Sequence, residues 1–185
     1  MDRLEIIKTC IDRLLTEKDH ILVAIDGKCT SGKTTLATRL ADHYDCTLLH
    51  MDDFFLRPEQ RTPERYAQPG GNVDYERFYE EVLLPLKKGV SFSFRPFHCK
   101  TLTLSDPVFV PKKPLTVIEG SYSLHPYLGD PYDLKILLTV TEEAQQERLK
   151  TRPQHLQKRF IEEWIPMENR YLEHFSIESK ADIIL

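Results

Sequence analysis

A phosphate-binding pattern lies near the start of the chain. Residues 27 to 34 read Gly-Lys-Cys-Thr-Ser-Gly-Lys-Thr, the full G-x-x-x-x-G-K-[ST] pattern. Glycines let successive backbone N–H groups converge on phosphate oxygens, and a helix beginning near Lys33 adds its positive end. Lys33 is expected to neutralise the β and γ phosphates of ATP, and Thr34 to ligate Mg²⁺. The expected nucleotide-binding residues are Gly27, Lys28, Cys29, Thr30, Ser31, Gly32, Lys33, Thr34 and Thr35.

Acidic residues follow two apolar stretches and can complete such a site. Asp52 and Asp53 follow residues 47–51, and Glu119 follows residues 115–118. Phosphoryl transfer needs a carboxylate beside the acceptor hydroxyl, so Asp52 or Asp53 is expected to orient that hydroxyl and accept its proton. Glu119 is predicted to hold Mg²⁺, directly or through water. The alternative for the two aspartates is a solvated strand end at which an Asp acts as a cap. The alternative for Glu119 is that an acidic residue ends this strand by chance.

Three further positions have two interpretations each. Asp74 either binds substrate hydroxyls or caps the helix that follows it, or does both. Arg148 and Arg152 are four residues apart, which predicts that they share a helix face. With Arg159 they would form a lid over the phosphates at about residues 148–160. A solvated charged surface is the alternative for these arginines.

Cys29 lies inside the phosphate-binding pattern and could be reactive. A helix N-terminus can lower the pKa of a thiol, and a thiolate is the form that oxidises. We therefore consider the hypothesis that oxidation of Cys29 blocks ATP binding.

Composition restricts the class of protein. The chain has 185 residues, enough for a single domain over 1–185, and a net charge of −4, which argues against nucleic-acid binding. No apolar run approaches the ~20 residues that span a membrane, and the N-terminus does not resemble a secretory signal. Four cysteines without CxxC pairing suggest reduced thiols in a cytoplasmic protein. A homo-oligomer is compatible with this composition.

Apolar periodicity predicts strands that alternate with helices. The pattern indicates an α/β fold with a five-stranded parallel sheet and helices on both faces. Residues 57–73 are predicted as a loop, and residues 91–113 as short strands or a hairpin over the site. An α/β domain normally covers its last strand with a helix, so we expect that a C-terminal helix is absent from this sequence. Helices are predicted at 2–18, 34–44, 74–87, 142–150 and 156–175, and strands at 20–25, 47–51, 115–118, 134–140 and 181–185.

These motifs together resemble the uridine kinase and nicotinamide riboside kinase group of P-loop kinases. Besides residues 27–34, the similar stretches are Asp-Asp-Phe-Phe at 52–55, Val-Ile-Glu-Gly at 117–120, Tyr-Asp-Leu-Lys-Ile at 132–136, Glu-Arg-Leu-Lys-x-Arg at 147–152 and Ala-Asp-Ile-Ile at 181–184.

The resemblance has consequences for individual residues. It implies a P-loop NTPase fold, Asp52 as the base, Asp74 at the ribose hydroxyls, and Arg148 and Arg152 in the lid. Phe97 is similar to an aromatic residue that helps uridine kinases to read the pyrimidine. The Tyr and Asp that accompany it in uridine kinases are absent from residues 94–100.

The sequence therefore predicts an ATP- and Mg²⁺-dependent kinase that acts on the 5′-hydroxyl of a nucleoside. Uridine and cytidine are the favoured acceptors. Alternative acceptors are nicotinamide riboside, pantothenate or another alcohol, and a second class is a regulatory protein that binds ATP without an acceptor. A GTPase would need Asn-Lys-x-Asp, which does not occur. The predicted catalytic residues are Asp52, Lys33, Arg148 and Arg152, the substrate-binding residues are Asp52, Asp74, Phe97 and Tyr122, and the Mg²⁺ ligands are Thr34 and Glu119.

Overall fold

The computed structural model describes residues 3–185, which form alternating strands and helices. The strands are β1 Ile21–Gly27, β2 Cys46–His50, β3 Phe92–Phe94, β4 Phe97–His98, β5 Thr103–Leu104, β6 Val108–Val110, β7 Leu115–Glu119, β8 Leu134–Leu138 and β9 Ile183–Ile184. The helices are α1 Arg3–Glu17, α2 Lys33–His43, α3 Pro63–Ala67, α4 Tyr75–Phe78, α5 Leu84–Lys87, α6 Glu142–Leu149, α7 Gln154–Arg159 and α8 Ile165–His174. Residue 2 of the predicted first helix lies outside the described residues.

The main sheet contains five parallel strands in the order β2-β7-β1-β8-β9, which confirms the predicted fold class. All seven residues of β1 are buried, as expected for a central strand covered on both faces. The register pairs His50 on β2 with Glu119 on β7, and Ile25 on β1 also with Glu119. The carboxyl ends of three strands therefore meet at one edge of the sheet.

Two hydrophobic cores cover the two faces of this sheet. Side chains alternate along β1, so Val23 and Ile25 pack with α1 and α2 on one face. Leu22 and Ala24 face the opposite core, which includes Phe54 from the turn after β2. Helices on both faces were predicted, and each face excludes water from the strands that carry the site.

Prolines shape two of the helical runs. Between α4 and α5 the chain makes a π-helical turn, Tyr79–Leu83, and Pro85 then lies in the first turn of α5. A second π-helical turn, Phe160–Trp164, joins α7 to α8, where Pro166 follows. Proline lacks an N–H and crowds the preceding turn, which a widened turn accommodates. The predicted helices over 74–87 and 156–175 thus form as interrupted helical runs.

The remaining segments differ in detail from the prediction. Residues 57–73 contain a short 3₁₀ turn, Pro58–Gln60, and α3, so describing them only as a loop was wrong. Thr62 stabilises α3 by accepting a hydrogen bond from the backbone N–H of Arg65. Within 91–113, β3 pairs with β6 and β4 with β5, both antiparallel, as predicted. No helix in residues 3–185 is long and apolar enough to cross a membrane.

Candidate active site

The phosphate loop, residues 27–34, joins β1 to α2 at the carboxyl edge of the sheet. Gly27 has φ +137°, and a Cβ there would lie 2.1 Å from the carbonyl oxygen of Leu138, so only glycine fits. Lys33 Nζ lies 2.9 Å from the carbonyl oxygens of both Gly27 and Lys28. The lysine ammonium is thereby held inside the curve of the loop, where phosphate would enter.

Glu119 connects the phosphate loop to β2. Its Oε1 accepts hydrogen bonds from Thr34 Oγ1 at 3.2 Å and from His50 Nδ1 at 2.6 Å, and the residue is only 5% exposed. The hydrogen bond to Glu119 raises the pKa of His50. A hydroxyl and a carboxylate side by side are oxygen donors of the kind that Mg²⁺ binds beside phosphates. The geometry therefore fits the predicted metal ligands, and His50 is a neighbour that sequence reasoning missed.

Asp52 and Asp53 lie in the 3₁₀ turn Met51–Phe54 that follows β2. Asp52 is open to solvent, yet the surrounding protein removes part of its hydration and raises its pKa, and the charge of Glu119 raises it further. The charge of Lys33 opposes this effect, which places Asp52 within electrostatic reach of the phosphate loop. Loss of hydration also raises the pKa of Asp53, and the charge of His50 opposes this increase. The electrostatic influence of Lys33 favours Asp52 as the carboxylate facing the phosphates.

Asp74 caps α4, which was one of its two predicted roles. Its Oδ1 accepts a hydrogen bond from the backbone N–H of Arg77 at 3.1 Å. The residue is 1% exposed, and its Oδ2 lies 3.6 Å from Arg77 Nε and 3.8 Å from Arg57 Nε. Among residues 3–185, Oδ2 has no hydrogen-bond donor within 3.5 Å. That oxygen keeps an acceptor position, so the role at substrate hydroxyls stays a prediction.

The two predicted aromatic substrate residues have different positions. Phe97 lies on β4, which packs against the Met51–Phe54 turn, and the Arg61 guanidinium covers its ring at 5.7 Å. Tyr122 is 3% exposed and packs edge-on against Tyr171 in the hydrophobic core. The ring of Tyr122 therefore packs in the core, and the contact of this residue with substrate stays a prediction.

The predicted lid touches the phosphate loop through one of its arginines. Arg148 Nη1 donates to the carbonyl oxygen of Thr30 at 2.7 Å. The prediction that Arg148 and Arg152 share a helix face is wrong, because α6 ends at Leu149 and Arg152 lies in the exposed turn beyond it. Pro153 follows directly, and the residue before a proline is driven away from helical backbone angles.

Asp26 supports the phosphate loop from below, and sequence reasoning did not single it out. The residue is fully buried and accepts hydrogen bonds from the N–H groups of Gly27 at 2.6 Å and Leu124 at 2.9 Å, and from the Tyr171 hydroxyl at 2.7 Å. Burial raises the pKa of this carboxyl group. The sequence feature that could have identified Asp26 is a single acidic residue directly before Gly27 in an otherwise apolar strand.

Glu168 on α8 forms a hydrogen bond with the backbone of the phosphate loop. Its Oε2 accepts from the Cys29 N–H at 2.8 Å, and its Oε1 accepts from Ser121 Oγ at 2.7 Å. Gln145 on α6 donates to the Cys29 carbonyl oxygen at 3.0 Å. Two helices distant in sequence, α6 and α8, therefore hold Cys29 through its backbone, and no local motif could indicate these contacts.

The hypothesis of a reactive Cys29 is wrong on its physical premise. Burial, followed by the negative charge of Glu168, raises the pKa of the Cys29 thiol to about 12. The thiolate is therefore disfavoured, and the neighbouring carboxylate outweighs any benefit from the start of α2.

Comparisons with known proteins agree with this architecture. No family model matches the chain, and no curated protein matches it. A structure described as a possible uridine kinase from Bacillus stearothermophilus superposes with a TM-score of 0.68 at 22% identity, over 97% of this chain and 98% of the other. A candidate fructose transport system kinase from Silicibacter sp. TM1040 superposes with a TM-score of 0.73 at 21% identity, over 100% of this chain and 99% of the other. At these identities the likeness establishes the P-loop NTPase fold.

Proposed function

We propose that this chain is an ATP- and Mg²⁺-dependent kinase that transfers a phosphoryl group to a hydroxyl of a small molecule. The observation that carries the proposal is that the phosphate loop, Glu119 and Asp52 lie together at one edge of the sheet. Thr34 and Glu119 lie 3.2 Å apart beside the phosphate loop, and Asp52 lies within electrostatic reach of both Lys33 and Glu119. A regulatory ATP-binding protein would not require a solvent-accessible carboxylate at that place.

The proposed mechanism depends on positioning and charge. The amides of the phosphate loop and Lys33 would bind the phosphates, while Thr34 and Glu119 would hold Mg²⁺, which supplies positive charge that neutralises the phosphate oxygens. Asp52 orients the acceptor hydroxyl and takes its proton as the new O–P bond forms. The bond between the γ-phosphorus and the bridging oxygen breaks, and ADP leaves with that electron pair. We place the lid over the phosphates at residues 148–160, with Arg148 and Arg152 facing the transferred group.

The acceptor that the sequence resemblance favours is the 5′-hydroxyl of a nucleoside, with uridine and cytidine first. Asp74 supports this choice because one of its carboxylate oxygens has no donor among residues 3–185, and because its N–H donates to the carbonyl oxygen of Phe54, in the turn that carries Asp52, at 2.7 Å. Nicotinamide riboside, pantothenate and other alcohols keep the same chemistry and differ only in the group that is recognised.

The test is release of ADP from Mg·ATP in the presence of each acceptor, with the purified chain. We expect ADP release above the rate without acceptor for at least one alcohol, and no release when magnesium is removed. Tight magnesium-dependent ATP binding without turnover of any acceptor would favour the regulatory protein. Absence of magnesium-dependent ATP binding would contradict the whole proposal.

A further inference from the structure

The segment between β2 and β5 contains five arginines that differ in how their guanidinium groups are used. Four of them have a carboxylate or carbonyl partner for a terminal nitrogen, and these are Arg57 with Glu59, Arg65 with Glu76, Arg77 with Glu81 and Arg95 with Leu104. Arg61 is the exception. Among residues 3–185 no carboxylate lies within 4.0 Å of it, and its two terminal nitrogens have no hydrogen-bond acceptor.

The orientation of Arg61 is nevertheless fixed. Its Nε donates to the carbonyl oxygen of Leu56 at 3.0 Å, and its guanidinium lies over the ring of Phe97 at 5.7 Å. The side chain is half-buried and Phe97 is buried beneath it. An arginine held through Nε and an aromatic face presents its remaining N–H groups as a planar fork, which matches a carboxylate or a phosphate.

Arg61 and the turn that carries the proposed base both contact β4. Phe97 is on β4, and β4 packs against the Met51–Phe54 turn that carries Asp52. The thiol of Cys99, two residues after Phe97, lies within electrostatic reach of both Arg61 and Asp52. Asp52 and Arg61 therefore bring opposite charges to the neighbourhood of β4, where one acceptor could meet both.

We infer that the acceptor carries an oxyanion group, a carboxylate or a phosphate, which Arg61 binds while Asp52 holds the reacting hydroxyl. The inference rests on the proposed kinase function and narrows its acceptor class. An acidic nucleoside, or a related alcohol with an acidic substituent, is expected to be a better substrate than its neutral counterpart. A fixed fork with no protein partner gains hydrogen bonds only when such a group arrives.

Matched pairs of acceptors test this inference with the full chain. Three pairs differ by a carboxylate, namely uridine and orotidine, nicotinamide riboside and nicotinate riboside, and pantothenol and pantothenate. Fructose and fructose 6-phosphate form the phosphate pair. On whichever scaffold is accepted, we expect kcat/KM from ADP release to be at least about tenfold higher for the acidic member.

Variants of Arg61 assign that preference to the side chain. Arg61→Gln is expected to raise KM for the acidic member about tenfold while leaving KM for ATP unchanged, which also shows that the variant is folded. Arg61→Lys keeps the charge but loses the fork, so it should recover only part of the preference and replaces Arg61→Gln if that variant does not fold. Arg95→Gln is the matched control, because Arg95 donates to the carbonyl oxygens of Ser105 and Leu104, and it should change neither constant.

The outcomes separate this inference from the proposed function. Equal kcat/KM for neutral and acidic members overturns the anionic acceptor, and an acidic preference that survives in Arg61→Gln overturns its binding by Arg61. Either result leaves the proposed kinase function in place. Failure of every acceptor while Mg·ATP still binds overturns both.

Discussion

At the scale of single residues, the site depends on carboxylates that lie near each other and near Lys33. Asp52 has a raised pKa because nearby protein removes part of its hydration and because the charge of Glu119 lies nearby. A carboxylate that holds a proton more readily than usual suits a group that must accept one during transfer. Asp53 follows directly, but its backbone carbonyl oxygen accepts from Arg77 Nη2 at 2.9 Å, which connects its backbone to α4.

The first prediction distinguishes these two acids. Asp52→Asn should lower kcat for phosphoryl transfer by roughly 10²- to 10⁴-fold, because the amide cannot accept the proton. Mg·ATP affinity, measured by calorimetry, should stay near the wild-type value. Asp53→Asn is the matched control and should retain most of kcat. A larger loss of kcat in Asp53→Asn than in Asp52→Asn would transfer the proposed role to Asp53.

At the scale of elements, α8 holds the phosphate loop although it lies far along the chain. The buried Glu168 carboxylate accepts hydrogen bonds from the N–H of Cys29 and from the hydroxyl of Ser121, and the same hydroxyl oxygen lies 3.1 Å from the Gly27 carbonyl oxygen. Since α8 follows the proposed lid through one π-helical turn, lid and loop share a support. The shape of the loop thus depends on packing that the motif itself does not encode.

The second prediction concerns this bridge between α8 and the loop. Glu168→Ala should weaken Mg·ATP binding about tenfold, since losing a buried acceptor costs about 1–3 kcal/mol. Glu168→Gln should retain most of the affinity, because its amide can still accept from Cys29 N–H and donate to Ser121 Oγ. Titration calorimetry with Mg·ATP measures both variants, and KM for the acceptor should not change.

A control separates the bridge from the stability of the helix. Glu173→Ala lies on the exposed side of the same helix and should bind Mg·ATP like the wild type. If Glu168→Gln lost as much affinity as Glu168→Ala, the charge of the carboxylate rather than its hydrogen bonds would be responsible.

At the scale of the whole molecule, a buried histidine links stability to pH. His125 stacks on Tyr75 at 4.2 Å and lies between the core and the segment 57–73. Burial lowers the pKa of His125 to about 4, and the positive charge of Arg65 acts in the same direction. The charge of Glu76 opposes this effect. Lys180 adds a further positive charge on the other side. The folded protein therefore keeps this imidazole neutral.

The third prediction follows from the sign of that shift. Below pH 6.5 the unfolded chain binds a proton at His125, whereas the imidazole of the folded protein stays neutral. The contribution of His125 to the free energy of unfolding is therefore fully present above pH 6.5 and is lost as pH falls towards 4. Between pH 7 and pH 5 this histidine should reduce the free energy of unfolding by roughly 2 kcal/mol. Urea unfolding at both pH values measures it.

The comparison variant for this measurement is His125→Asn. Asparagine can still accept from the Tyr127 N–H, as His125 Nδ1 does at 3.1 Å, but it does not titrate in this range. Its stability should be lower overall and fall less between pH 7 and pH 5. Equal pH dependence in the two proteins would assign the effect to other groups.

Much of the fold and part of the site follow from the sequence because they rest on local patterns. Buried parallel strands are continuously apolar, helices show a 3.6-residue period, and the phosphate loop needs its glycines in fixed positions. Acids that end consecutive strands of a parallel sheet are brought to one edge by topology, which is why Asp52 and Glu119 could be found.

Tertiary structure alone decided the features that depend on partners distant in sequence or on exclusion of water. Asp26 and Glu168 acquire their roles from donors between about 50 and 145 residues away, apart from Gly27 beside Asp26. The thiol of Cys29 is neutral because it is buried beside Glu168. Among the five arginines between β2 and β5, Arg61 is the one whose terminal nitrogens find no acceptor in residues 3–185, because its neighbours in the fold supply none. Local pattern specifies which residues could act, whereas desolvation and pairing specify which of them are available.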